Sequence, residues 1–90
     1  MKGRRLSTAQ QKVAWLLDHQ DLWQRAPTQY SGIWLPEFRD MFETLFIQMK
    51  AAGLYSTKSY RIDVYGSILN HIQDARRIRR QTHARPASHQ

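Results

Sequence analysis

The residues with the clearest chemistry are arginines in two short runs, KGRR at residues 2–5 and ARRIRR at residues 75–80. An arginine side chain keeps its charge in proteins, and its planar guanidinium group matches the oxygens of a phosphate. The chain carries a net charge of +7, and both of its ends are basic, whereas residues 13–57 contain more acids than bases. This arrangement predicts that the two ends of the chain would bind a polyanionic partner.

We expect that partner to be nucleic acid, with DNA favoured over RNA, because arginine and lysine contacts to phosphates supply much of the affinity of such complexes. A solvated basic face is the plain alternative, since the helix dipole favours cations near a helix C-terminus. The residues predicted to contact nucleic acid are Arg4, Arg5, Lys58, Arg61, Arg76, Arg77, Arg79 and Arg80.

Other kinds of site are poorly represented. The chain contains no cysteine, which excludes disulfides, thiolate metal sites and cysteine nucleophiles. No two of its four histidines have the i, i+4 spacing of a helical metal site. The acidic residues are not accompanied by a nucleophile arranged with a base. We therefore predict no catalytic residue, no metal and no cofactor, and a protein that is not an enzyme.

A small, mainly α-helical domain with three helices must position the arginines. The spacing of apolar residues predicts a first helix over Thr8–Trp23, with Ser7 as its N-cap. A second helix begins at Pro36, which suits a first turn, and ends at Gly53, which suits a C-cap. The connection between them contains Trp34, which we expect to fold back into the core.

The third helix is predicted by a stripe of apolar residues, which are Tyr65, Ile68, Leu69, Ile72 and Ala75. The next positions of the stripe are arginines, so the last turns should extend beyond the core. Its start is open: a helix from about residue 58, a helix capped by Asp63, or a strand over SYRIDV; we favour the first. The predicted division is a basic arm at 1–6, a domain at 7–80 and a flexible tail at 81–90.

The stretch IQMKAAGLYSTKSYRI, residues 47–62, resembles the helix-turn-helix of small bacterial repressors. Ala52, Gly53 and Leu54 correspond to the end of the first helix and its turn, and Ser56-Thr57 to the cap of the recognition helix. Met49, Tyr55 and Ser59 depart from the pattern. A winged helix is the other geometry considered, with wing strands at Leu54–Ser56 and Tyr60–Val64. A plain three-helix corner is the third.

Two functions follow from this interpretation. The first is a small DNA-binding protein, a regulator or accessory factor of the phage or mobile-element type, acting through its basic arms and the helix-turn-helix-like corner. The second is a helical protein-interaction module or inhibitor that docks through an aromatic face. Its predicted anchors are Trp15, Leu22, Trp34 and Tyr55. A homodimer is compatible with both, and the lack of a long apolar run predicts a cytoplasmic protein with no membrane contact.

Overall fold

A computed structural model describes residues 8–56 and 61–88, with side chains described over residues 63–82 of the last helix. Three α-helices are present: α1 over Thr8–Leu17, α2 over Pro36–Ala51 and α3 over Arg61–Ser88. Two short 3₁₀ helices, Gln20–Leu22 and Tyr30–Trp34, lie in the connection between α1 and α2. The prediction of a mainly α-helical, three-helix domain is confirmed.

Helix α3 is the element on which the others pack. Its predicted apolar stripe is buried as expected, and Val64 joins it. Helix α2 contributes Phe42, Leu45, Phe46 and Met49 to the same core, but Ile47 is exposed. The largest fully buried side chains are Trp23, Phe42, Leu16, Ile33, Leu45, Met49, Ile68 and Ile72. Burial of this apolar area is the main term that stabilises a chain of 90 residues.

Helix α1 ends at Leu17, six residues before its predicted end, because three side chains satisfy its last carbonyls. His19 Nδ1 donates to the Trp15 carbonyl at 2.7 Å, and Gln20 Nε2 donates to the Leu17 carbonyl at 3.0 Å. Trp23 Nε1 donates to the Leu16 carbonyl at 2.7 Å. Carbonyls at a helix end need such partners, and here they let the chain turn back at residue 18. The predicted N-cap, Ser7, lies outside the described residues.

The expectation that Trp34 fills the core is wrong. Trp34 is 49% exposed, whereas Trp23 is fully buried. The short helix Tyr30–Trp34 turns Gly32 and Ile33 inward, so the neighbouring Trp34 faces outward. A Cβ atom on Gly32 would lie 2.4 Å from Pro27 Cβ, which explains why only a glycine fits at this point of the connection. The tryptophan that is buried in the core is therefore Trp23, at the end of the region predicted to be helix 1.

The corner after α2 is closed by a glycine, as predicted. Gly53 has a φ of +81°, its N–H donates to the Lys50 carbonyl at 2.9 Å, and the Leu54 N–H donates to the Met49 carbonyl at 2.9 Å. This pair of hydrogen bonds defines a Schellman motif. Residues 52–56 are not helical and already exceed the three- or four-residue turn of a helix-turn-helix.

The winged-helix alternative is wrong. Residues 61–64, which would form most of its second wing strand, belong to α3, and no strand is present in residues 8–56 or 61–88. The predicted start of the third helix near residue 58 lies outside the described part, since description resumes at Arg61. At its other end α3 continues to Ser88, beyond the predicted end near residue 80.

Replacing Gly53 by alanine should destabilise the fold by about 1 kcal/mol, because a positive φ disfavours any residue with a Cβ. No atom lies within 4 Å of the position of that Cβ, so the cost is one of backbone conformation and not of a clash. Gly53→Asn should cost less, since asparagine tolerates this conformation better. Urea unfolding of the three proteins measures the order; equal stabilities of all three would contradict it.

Candidate nucleic-acid interface

The connection between α1 and α2 lies along α3 and runs in the opposite direction. Arg76 Nη2 donates to the Ala26 carbonyl at 2.6 Å, and its Nη1 donates to the Pro27 carbonyl at 3.1 Å. Three residues earlier on α3, Gln73 Nε2 donates to the Thr28 carbonyl at 2.6 Å. Nearer the start of α3, Gly66 lies against the ring of Tyr30. Through these contacts, residues 23–34 and 66–80 form one continuous surface, which we call the ridge.

Arg76 therefore has a structural position that the sequence analysis did not foresee. Besides the two loop carbonyls, its Nη1 donates to Gln73 Oε1 at 3.0 Å. Burial lowers the pKa of the Arg76 guanidinium, and the positive charges of Arg79 and Arg80 lower it further. Three guanidinium groups thus lie within electrostatic reach of one another, and one of them already has its donors engaged.

Arg77 lies on another side of α3 and forms an ion pair with Asp74. Both side chains are substantially exposed, so this pair adds little to stability. The pair borders a groove of about 470 Å³ between α1 and α3 whose apolar lining includes Val13, Leu17 and Ile78. Of the four arginines predicted in this run, Arg77 is the one held by a carboxylate of the protein itself.

Arg79 and Arg80 have no ion pair with any residue in the described ranges. The Arg79 guanidinium carbon lies 6.0 Å from the centre of the Trp23 ring, at the outer limit of a cation–π contact. Arg80 is exposed and forms no hydrogen bond to described residues. The structure brings these two together with Arg76 at the C-terminal end of the ridge.

The other predicted basic contacts lie at or beyond the edges of the described ranges. Arg4, Arg5 and Lys58 lie outside the described residues, and Arg61 is described only as the first residue of α3. Within the described residues, the side chains of the predicted interface are therefore those of its C-terminal part, Arg76, Arg77, Arg79 and Arg80.

The four predicted aromatic or apolar anchors occupy different environments. Trp15 is half-buried and stacks on His19 with ring centres 3.8 Å apart, and Leu22 is half-buried against the core. The Tyr55 hydroxyl shares a hydrogen bond of 2.8 Å with Ser67 Oγ, and Lys12 Nζ lies 4.0 Å from the centre of its ring. Burial raises the pKa of Tyr55. Only Trp34 presents a large exposed surface.

Tyr30 is a surface residue for which the sequence carried a signal, since it lies in a predicted connection. It is 55% exposed, and its ring meets the Trp34 ring edge to face with centres 6.3 Å apart. A Cβ atom on Gly66 would lie 2.8 Å from Tyr30 Cε1, so the glycine in the middle of α3 makes room for this ring. Leu35, 47% exposed, follows Trp34 directly. We call Tyr30, Trp34 and Leu35 the aromatic platform.

His71, on α3, is a titratable side chain whose surroundings disfavour its charge and offer its Nδ1 no partner among the described residues. Its Nδ1 is buried and has no hydrogen-bond partner among the described residues. Burial lowers the pKa of His71, the positive charge of Lys12 on α1 lowers it further, and Asp74 opposes these effects. On balance these surroundings disfavour the protonated form of the imidazole.

Within the described ranges, no group of three or more histidine, cysteine, aspartate or glutamate side chains could hold a metal ion. In that same part of the chain, every helix is too short or too polar to traverse a bilayer. Comparison of the chain with protein-family models, with curated proteins and with solved structures finds no match. The candidate interface therefore has to be judged by its own geometry and charge.

Replacing Arg76 by methionine should lower the free energy of unfolding by about 2 kcal/mol, because two carbonyls of the connection lose a charged donor. The matched variant Arg80→Met, which removes the same charge from an exposed side chain, should change stability by less than about 0.5 kcal/mol. Urea unfolding distinguishes the two. Equal losses would show that the Arg76 bonds to Ala26 and Pro27 do not hold the connection.

Stability should fall as the pH drops below about 6.5, the ordinary pKa of histidine, in part because of His71. The pKa of His71 is lower in the folded protein, so the unfolded chain binds more protons in this range and protonation favours unfolding. His71→Gln should make the decline between about pH 7 and pH 5 shallower. Urea unfolding at a series of pH values measures this; a constant difference between the two proteins would contradict it.

Proposed function

We propose that this protein binds nucleic acid, with DNA as the first candidate, by gripping phosphates with Arg79 and Arg80 at the C-terminal end of the ridge. The observation that carries the proposal is the cluster of Arg76, Arg79 and Arg80, in which no described acidic side chain pairs with any of the three. Burial is the main cause of the lowered pKa of Arg76, and the positive charges of Arg79 and Arg80 lower it further because like charges repel. A polyanion would relieve this repulsion.

The position of the cluster supports the proposal. Ala75 is fully buried, and beyond it the described side chains of α3 are half-buried or exposed. Arg79 and Arg80 therefore project where the core no longer covers the helix. A phosphate backbone could reach them without any rearrangement of the packed domain.

Arg76 takes a different part in this proposal from the one the sequence suggested. With its donors directed to Ala26, Pro27 and Gln73, it fixes the connection against α3 and adds positive charge beside the grip. Arg79 and Arg80 form no hydrogen bond to described residues, which leaves their donors for phosphate oxygens. The basic N-terminal run, with Arg4 and Arg5, would add contacts of the same kind.

The alternative function is a protein-interaction module with four predicted anchor residues. Only one of these four side chains, Trp34, is broadly exposed. Trp15 is stacked on His19, Lys12 lies over the Tyr55 ring, and both side chains are half-buried, so each offers less open aromatic surface than Trp34. Trp34 alone, with its neighbours in the aromatic platform, would have to supply the contact. A single tryptophan is a small hot spot for a stable protein interface.

The double variant Arg79→Gln/Arg80→Gln should bind labelled DNA more weakly at every sequence tested, because it removes two phosphate contacts. The plot of log affinity against log salt should also become shallower by about two. Fluorescence anisotropy across a salt series provides both quantities. Circular dichroism and thermal melting confirm that the variant is folded.

The matched control is Arg39→Gln/Lys50→Gln, which removes the same charge from two side chains of α2, outside the ridge. It should leave the salt dependence close to that of the parent. The proposal fails if the parent shows no binding at about 50 mM salt, or if the two double variants lose affinity equally.

A further inference from the structure

Resting on the proposed function, we propose that the nucleic acid is single-stranded and that its bases stack on the aromatic platform while Arg79 and Arg80 hold its backbone. Trp34 is the central stacking residue, and Tyr30 positions it. This inference rests on two features at opposite ends of the ridge: an exposed pair of aromatic rings, and two arginines that form no ion pair with described residues.

The aromatic platform and Arg80 lie on the same side of α3. Successive residues of an α-helix are 100° apart, so residues seven apart lie about 20° from each other around the helix. Gly66, Gln73 and Arg80 have this spacing, and the first two contact Tyr30 and the Thr28 carbonyl. Arg80 is therefore the next position on the side of α3 that the connection covers.

The distance between the two ends suits a short single strand. Fourteen residues separate Gly66 from Arg80, and at 1.5 Å per residue this is about 20 Å along the helix. Single strands are bound by positive grooves that follow the backbone together with aromatic side chains that stack on bases, over sites of about 4–16 nucleotides. The ridge offers both components within such a length.

The platform is arranged to receive a flat group. The Tyr30 ring lies on the backbone of Gly66, where any side chain would displace it. Trp34 meets this ring edge to face, and close to half of its surface remains open to solvent. An aromatic face held in this way can stack on a base with little loss of conformational freedom. In a duplex the bases are stacked on each other and would not be available to it.

The experiment compares Trp34→Leu with the parent by anisotropy on three labelled probes: an oligothymidine of about 10 nucleotides, the oligouridine of the same length, and a duplex of mixed sequence. Stacking predicts a loss of about 10-fold or more on the single strands, and little change on the duplex. Oligothymidine should also quench the tryptophan fluorescence of the parent more than that of the variant. The preference between the two single strands then distinguishes DNA from RNA.

The matched control is Ile47→Ala, which truncates another exposed apolar side chain, on α2, and should leave all three affinities unchanged. The inference is overturned if Trp34→Leu binds the single strands as tightly as the parent does. It is also overturned if the substitution lowers the affinity for the duplex as much as the affinity for the single strands. If Arg79→Gln/Arg80→Gln still weakens binding in that case, the proposed function stands and only stacking fails. If Trp34→Leu weakens binding to the single strands but Arg79→Gln/Arg80→Gln does not, the proposed phosphate contacts of Arg79 and Arg80 are overturned instead.

Discussion

The hydrogen bonds from Arg76 to the carbonyls of Ala26 and Pro27 are the interaction on which the arrangement of this protein depends. They join a connection without a long helix of its own to the longest helix in the chain. Carbonyls of such a connection need donors when they lie against a core, and a guanidinium can serve two of them at once. The short helix Tyr30–Trp34 follows in the chain, so its placement depends on this attachment.

The end of the buried stripe at Ala75 divides the four arginines that follow among different environments. Arg76 binds the connection and Arg77 pairs with Asp74, whereas Arg79 lies half-buried over the Trp23 ring and Arg80 is exposed at the end of the ridge. Arginines that are adjacent in sequence thus differ in what they can bind. A run of basic residues is one feature in the sequence. In the folded protein it contains Arg76 bound to the connection, Arg77 in a surface ion pair, and two arginines that pair with no described acidic side chain.

Glycines at two positions connect the fold to the aromatic platform. Gly32 lies against Pro27 and allows the connection to turn tightly, and Gly66 gives the Tyr30 ring its place on α3. A glycine inside a helix costs about 1 kcal/mol relative to alanine, so its presence in α3 has a compensating reason in the contact with Tyr30. The same contact sets the orientation of Trp34 and leaves one indole exposed in a domain where another, Trp23, is sealed in the core.

The sequence by itself determined the features that depend on neighbours along the chain. The apolar stripes of α2 and α3, Pro36 at the start of α2 and the glycine C-cap at Gly53 could be predicted because helical period and backbone conformation are local properties. Tertiary structure decided which tryptophan is buried, where α1 stops and what Arg76 binds. Those outcomes depend on side chains meeting particular backbone carbonyls: Trp23 binds the Leu16 carbonyl seven residues before it, and Arg76 binds the carbonyls of residues 26 and 27 on another element. Helical periodicity does not report such pairings, because they depend on how the connection folds back on α1 and packs against α3.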